Sequence, residues 1–345
     1  GSAFKTFVYL AAIDRKEMTP ATLLLDMPFE VNLGGGESWS PGNYDEQFHG
    51  RVTLRRSFEA SLNVPVVRVS EQIGPREVVE TARQAGIESD LDPVPALPLG
   101  VSEVTPLELT RAYTVFPGRG SIVDPWLIRR VEDASGRVIL EHEPSTVRAI
   151  DPSSAFVMHS LLRGVVERGT ARRLRDYGLG YVAGKTGTTS NYRDAWFVGY
   201  SPELVTTAWV GFDSGAPLRL SSAEAALPMW GRYMNDFNPE TRDVEAPDGV
   251  VFREIDPTTG YVWSRGCPGP FEEVFLEGTE PRIPCPRGRV GKMAREMLLD
   301  PDELEEPAAI TIEKFRQWTE RVDRGQRKLQ RGIERVRKAI EKIFD

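Results

Sequence analysis

An α+β fold built on an antiparallel sheet is the architecture this sequence predicts, and three observations predict it. Apolar residues sit at helical spacing through the first half, the pattern shifts to short strand-like runs from residue 126, and a helix, a strand group and a second helix follow between 152 and 237. The chain has 345 residues, of which 40% are apolar, enough to bury a sizeable core as two domains or one large one.

In chain order, residues 2–13, "SAFKTFVYLAAI", read as an amphipathic helix already in rhythm where the chain opens, which predicts sequence upstream of it. Pro41, Gly42 and Asn43 make residues 39–50 a loop. Helical patterns recur at 51–61, 75–86 and 105–116, and Pro65 is expected to end the first of these and leave the side chains before it exposed. Two apolar runs around Ser135-Gly136 predict a hairpin in 126–142. Pro152, directly after Asp151, opens an amphipathic helix over 152–168. The stretch "VAGKTGTTSNYRDAWFVGY" (182–200) reads as a strand, a lip and a second strand; "LVTTAWVGFD" is its partner and "SSAEAALPMWGRYMNDF" a covering helix. Past residue 240, "APDGVVFREIDPTTGYVW" predicts a small β element turning at Thr258-Thr259-Gly260. Phe315, Trp318, Val322, Leu329, Ile333, Val336, Ile340 and Ile343 then line one face of a terminal helix. Its basic residues alternate with glutamates, which favours packing on its own domain over a membrane surface. The expected division is a domain over 1–240, a β-rich extension over 241–290 and a helical tail over 291–345.

Charge narrows the function classes. A net charge of −8 and a pI near 5.3 argue against a nucleic-acid partner. No run approaches 18 uncharged apolar residues, so no membrane span is expected within the chain. His49, His142 and His159 are scattered without metal spacing, and no metal or cofactor is expected. Cys267 and Cys285 leave two readings: a disulfide closing a Pro/Gly-rich loop in an oxidising compartment, or two free thiols in the cytosol.

Three short motifs carry chemistry. Ser2-Ala3-Phe4-Lys5 sets a hydroxyl and an amine one helical turn apart on one face. Ser61-Leu62-Asn63 adds a hydroxyl and an amide at a helix end, and Lys185-Thr186-Gly187-Thr188 adds a cation and two hydroxyls on a strand. A serine becomes a nucleophile when a base takes its proton, and a lysine can be that base when burial or a nearby cation keeps it neutral. Lys185 can supply that cation. The backbone N–H groups of Ser2 and Thr188 are candidates for an oxyanion hole, and Gly187 keeps a strand edge open for a peptide added as a further strand. A lone S-x-x-K arises about once by chance in a chain this long. Three motifs in this order, in helix, helix-end and strand settings, are far harder to assign to composition.

This set resembles that of serine β-lactamases and penicillin-binding proteins. "GRVTLRRSFEASLNVPVVRV", "PALPLGVSEVTPLELTRAYTVF", "AGKTGTTSNYRDAWFVGYSPELVTTAWVGFD" and "FLEGTEP" are also similar to segments of class A, bifunctional penicillin-binding proteins, nearest the 1B type, across residues 1 to about 286. The resemblance implies a transpeptidase fold, an antiparallel sheet packed by helices plus an all-helical subdomain, with its N-terminal strands, a glycosyltransferase domain and a membrane anchor lying upstream of residue 1. It implies that Ser2 is the acyl-enzyme nucleophile and Lys5 its base, and that Ser61 relays a proton to the leaving D-alanine. Asn63 would hold the substrate amide, and Lys185, Thr186 and Thr188 its terminal carboxylate. Peptidoglycan stem peptides, β-lactams and periplasmic regulatory proteins are the implied partners, at the outer face of the cytoplasmic membrane. Two other readings use the same residues: a hydrolase of the carboxypeptidase or β-lactamase kind, and a non-catalytic module that binds β-lactams or cell-wall peptides.

Overall fold

The structure is a computed structural model that describes residues 1–143, 145–237 and 242–285. The helical tail expected over 291–345 lies outside the described residues. A short 3-10 turn, Ser2–Phe4, leads into α1 (Lys5–Asp14), in which every residue from Lys5 to Ile13 is buried. The expected amphipathic helix is therefore a central one: α3 (Val64–Ile73), α4 (Pro75–Gln84) and α6 (Pro152–Glu167) pack around it, so no face meets solvent. Strand β1 (Leu23–Asp26) pairs with β4 (Gly50–Thr53), and β2 (Val31–Gly34) pairs with β3 (Glu37–Trp39) within the span between them.

Helix α2 (Leu54–Ala60) is capped by Thr53, whose hydroxyl accepts from the Arg56 N–H, and it stops at Ser61 in the left-handed conformation. Pro65 does not end this helix, as the sequence led one to expect; it sits in the first turn of α3, where its missing N–H costs nothing. Helix α5 (Pro106–Tyr113) carries a full capping box between Thr105 and Glu108. Strands β5 (Ser121–Val123) and β8 (Thr146–Arg148) pair, and between them β6 (Arg130–Glu132) and β7 (Val138–Glu141) form the expected hairpin.

The central sheet is antiparallel in the order β11 (Val205–Gly211), β10 (Asp194–Tyr200), β9 (Ala183–Thr188), which leaves β9 at an edge. Helix α6 packs on β9, and α5 and α7 (Ala226–Phe237) pack on β11. The β element past residue 240 differs from expectation. Strand β12 (Val250–Ile255) does turn at Thr258-Thr259-Gly260, but it pairs in full with β13 (Phe271–Leu276). The turn is tied down because Asp256 accepts from Thr258 and Thr259, while a side chain at Gly260 would sit 2.1 Å from the Ala21 carbonyl. Val274 and Leu276 join the main core beside α6. Cys267 and Cys285 form a disulfide.

Candidate active site

All three motifs meet at the free edge of β9. A Cβ on Gly187 would lie 3.1 Å from the Ala3 amide nitrogen and 3.2 Å from the Trp196 Cβ, so Gly187 lets the strand lie directly on the Ser2–Phe4 turn. That close approach is a packing reason for a glycine here, on a strand that lies at the edge of its sheet. Ser2, Ser61, Asn63, Thr186 and Thr188 line one cleft of about 730 Å³.

Lys5 and Lys185 stand behind this lining, fully buried. Lys5 Nζ lies within hydrogen-bonding distance of three oxygens, the carbonyls of Ser61 (2.7 Å) and Leu62 (3.1 Å) and Asn63 Oδ1 (2.6 Å), with Ser61 Oγ 3.5 Å away; as a neutral amine it donates to two of them at a time and keeps a lone pair. Burial, followed by the repulsion of Lys185, holds Lys5 well below the ordinary lysine range. Lys185 Nζ reaches Ser61 Oγ at 2.8 Å and the Thr186 carbonyl at 3.2 Å, and burial lowers its pKa to about 7. Ser61 is thus bracketed by two amines. Its left-handed backbone (φ 59°) turns the chain between α2 and α3 and lets Ser61 and Leu62 both aim carbonyls at Lys5.

Behind this sits a support that the motifs do not reveal. Asn43 Oδ1 accepts from the backbone N–H groups of Asn63 (2.8 Å) and Val64 (3.2 Å), while its amide donates to both carboxylate oxygens of buried Asp26. His49 also bonds Asp26 through its ring and its backbone N–H. Asn63 itself donates its amide to the Gly42 carbonyl. Both ends of Asn63 are engaged within the protein, although each keeps one further hydrogen-bonding position. On β9, Thr186 Oγ1 meets Thr170 Oγ1 at 2.7 Å and Thr188 Oγ1 donates to Ser222 Oγ at 3.0 Å. Tyr44 and Tyr192 join hydroxyls across the cleft at 2.5 Å. No spacing along the chain could have linked these pairs, because their members lie 16 or more positions apart on separate segments.

Asp194 holds the turn after β9, accepting from the Thr189 hydroxyl and the Trp209 indole and returning its own N–H to Thr189. His159 is buried away from the cleft, between Tyr200 and Asp243.

The sequence model of the penicillin-binding protein transpeptidase domain matches residues 1–212. This chain belongs to the penicillin-binding protein transpeptidase family. It is 37% identical over 289 residues to penicillin-binding protein 1A of Aquifex aeolicus (strain VF5), a match spanning 83% of this chain and 39% of that protein. It is also 36% identical over 264 residues to the 1A protein of Neisseria lactamica, spanning 73% of this chain and 33% of that protein. These relatives carry the 1A name, where the sequence pointed nearest the 1B type. The chain thus spans less than half the length of the relatives it matches. Among solved structures, penicillin-binding protein 1A of Haemophilus influenzae superposes with a TM-score of 0.77 at 28% identity, over 82% of this chain and 48% of that one. An imipenem acyl-enzyme complex of penicillin-binding protein A from Mycobacterium tuberculosis shares the fold, with a TM-score of 0.58 at 22% identity over 69% of this chain and 59% of that one.

Proposed function

We propose that this penicillin-binding transpeptidase domain cross-links peptidoglycan stem peptides through a serine acyl-enzyme on Ser2, on the outer face of the cytoplasmic membrane, as part of a longer bifunctional synthase. One observation carries the reading: Lys5 is buried beside Ser61 and Asn63, depressed by burial and by Lys185, directly behind two residues that line the same cleft as Ser2. A buried neutral amine can take the Ser2 proton as Oγ attacks the carbonyl before the terminal D-alanine. The N–H groups of Ser2 and Thr188 would stabilise the oxyanion. Ser61, bonded to Lys185 and next to Lys5, would pass a proton to the departing D-alanine nitrogen. An amine from a neighbouring stem then attacks the acyl-enzyme by the same path reversed. Thr186 and Thr188 would meet the terminal carboxylate with their hydroxyls, while Lys185 acts from behind through its charge. A β-lactam would enter as a cyclic analogue of the donor and stay bound to Ser2. In this reading residues 1–240 form the catalytic domain and 241–290 an extension of it.

Incubation with labelled penicillin tests the proposal. A long-lived adduct on Ser2 that disappears in Ser2→Ala is expected. Rapid turnover of the adduct would favour the hydrolase reading, and undiminished labelling of Ser2→Ala would favour the non-catalytic one.

A further inference from the structure

The cleft holds more positive charge than the three motifs account for. Arg56, Arg168, Arg172 and Arg173 all line it, and no aspartate or glutamate does, in a chain whose net charge is −8. Like charges gathered on one concave surface repel one another unless an anion comes between them. Arg168 is already answered by Glu59 at 2.7 Å and Glu167 at 2.6 Å. Arg173 lies near enough to Glu224 to help lower that carboxyl's pKa, behind the hydrogen bonds from Ser221. Among the described residues the exposed side chains of Arg56 and Arg172 enter no ion pair.

The position of this arginine wall says which part of a ligand it faces. Thr170 touches Thr186 through the pair of hydroxyls, so the turn Arg172–Tyr177, which begins two residues after Thr170, starts beside the part of β9 proposed to meet the terminal carboxylate. That is the leaving-group side of the scissile bond. By microscopic reversibility, the acceptor amine must attack from where the leaving amine departed. The geometry points to an acceptor subsite at the arginine-lined end of the cleft, selecting a peptide amine that bears a carboxylate close by. The inference rests on the transpeptidase reading above and adds the specificity of its second substrate. Arginine suits the task because its planar fork grips a carboxylate with two parallel bonds.

The test uses the partition of the acyl-enzyme between water and an added amine. Wild type is acylated with a depsipeptide donor ending in D-Ala-D-lactate, so that D-lactate leaves, then offered D-alanine or D-alaninamide as competing acceptors, and the ratio of aminolysis to hydrolysis is compared for the two. The expected result is a preference for the acid, falling by about tenfold in R172Q/R173Q and shrinking as salt is raised. R56Q, on a different element, should lower the same ratio and gives a second arm should the double variant not fold. An acid preference absent from wild type, or retained in both variants, overturns the subsite while leaving penicillin labelling of Ser2 intact. Absence of labelling in wild type would instead sink the transpeptidase reading, and the acceptor subsite with it.

Discussion

Lys5 and Lys185 share a side chain, yet their surroundings fit them for different tasks. Lys5, close to two carbonyls, is lowered first by burial and then by a neighbouring cation, whereas Lys185 is lowered by burial alone. A base must be unprotonated to work, so the rate of penicillin acylation should fall on the acid side as Lys5 takes up a proton, at a pH well below the free-lysine value of about 10.4. Lys185 is charged below its pKa of about 7, and there its repulsion helps to keep Lys5 neutral. Lys185→Gln removes that repulsion, which raises the Lys5 pKa and moves the acid limb to higher pH. Measuring the second-order acylation rate from pH 5 to 10 for both proteins checks this. A limb that stays in place, or moves to lower pH, would contradict the coupling. The residues of the three motifs were legible because each motif is local, whereas Asn43 and Asp26 were not. Their relation to Asn63 runs through the Asn43 side chain, which accepts from the Asn63 N–H 20 positions on and donates to Asp26 17 positions back, and a loop asparagine has no periodicity to mark it.

Elements with strong punctuation were legible and those without were not. The Asp151-Pro152 start of α6, the Ser135-Gly136 turn and the alternation in β10 and β11 each carry a local signal. Helix α3 was hidden because "NVPVVRV" is a β-branched run that resembles a strand, and burial against α1 overrides that propensity. The pairing of β12 with β13 was hidden for a related reason, since 15 residues separate the strands and the nearer turn looked like the hairpin. This β element has a consequence for the cleft. Glu273 on β13 grips the Arg55 guanidinium with two bonds of 2.5 Å, and Arg55 also reaches Glu59, so the helix ending in Ser61 is clamped from the far end of the chain. Glu273→Ala would leave Arg55 buried with half its compensation gone, a change that costs about 3–5 kcal/mol when a buried pair is broken. The expected outcome is a large drop in melting temperature in a thermal scan. Refilling the space in Arg55→Met/Glu273→Leu should recover much of it, because apolar packing often replaces a buried pair at little cost. A Glu273→Ala protein that melts like wild type would show that the clamp contributes nothing.

At the scale of the whole molecule, the matched family region ends at residue 212, but the core does not. Val274 and Leu276 are buried in the main cluster, Phe275 in a small one with Ala21 and Ile255, and Asp243 closes the His159 and Arg163 network on α6. Motif reasoning places a boundary near 240 because the chemistry is finished there, whereas packing is blind to where chemistry ends. A chain cut to residues 1–241 would keep every motif and lose these contacts. Burying a large apolar side chain contributes about 1.5–3 kcal/mol, so Val274, Phe275 and Leu276 together are worth about 5–9 kcal/mol before the loss of Glu273 from Arg55 is added. Total stabilities of about 5–15 kcal/mol leave little to spare. The 1–241 protein should therefore show no cooperative melting transition and no penicillin labelling, while the chain ending at 285 shows both. If the shorter chain melts cooperatively near the temperature of the longer one and still labels at Ser2, residues 242–285 are an appendage, and the core drawn through them is not what holds α2 and the cleft in place.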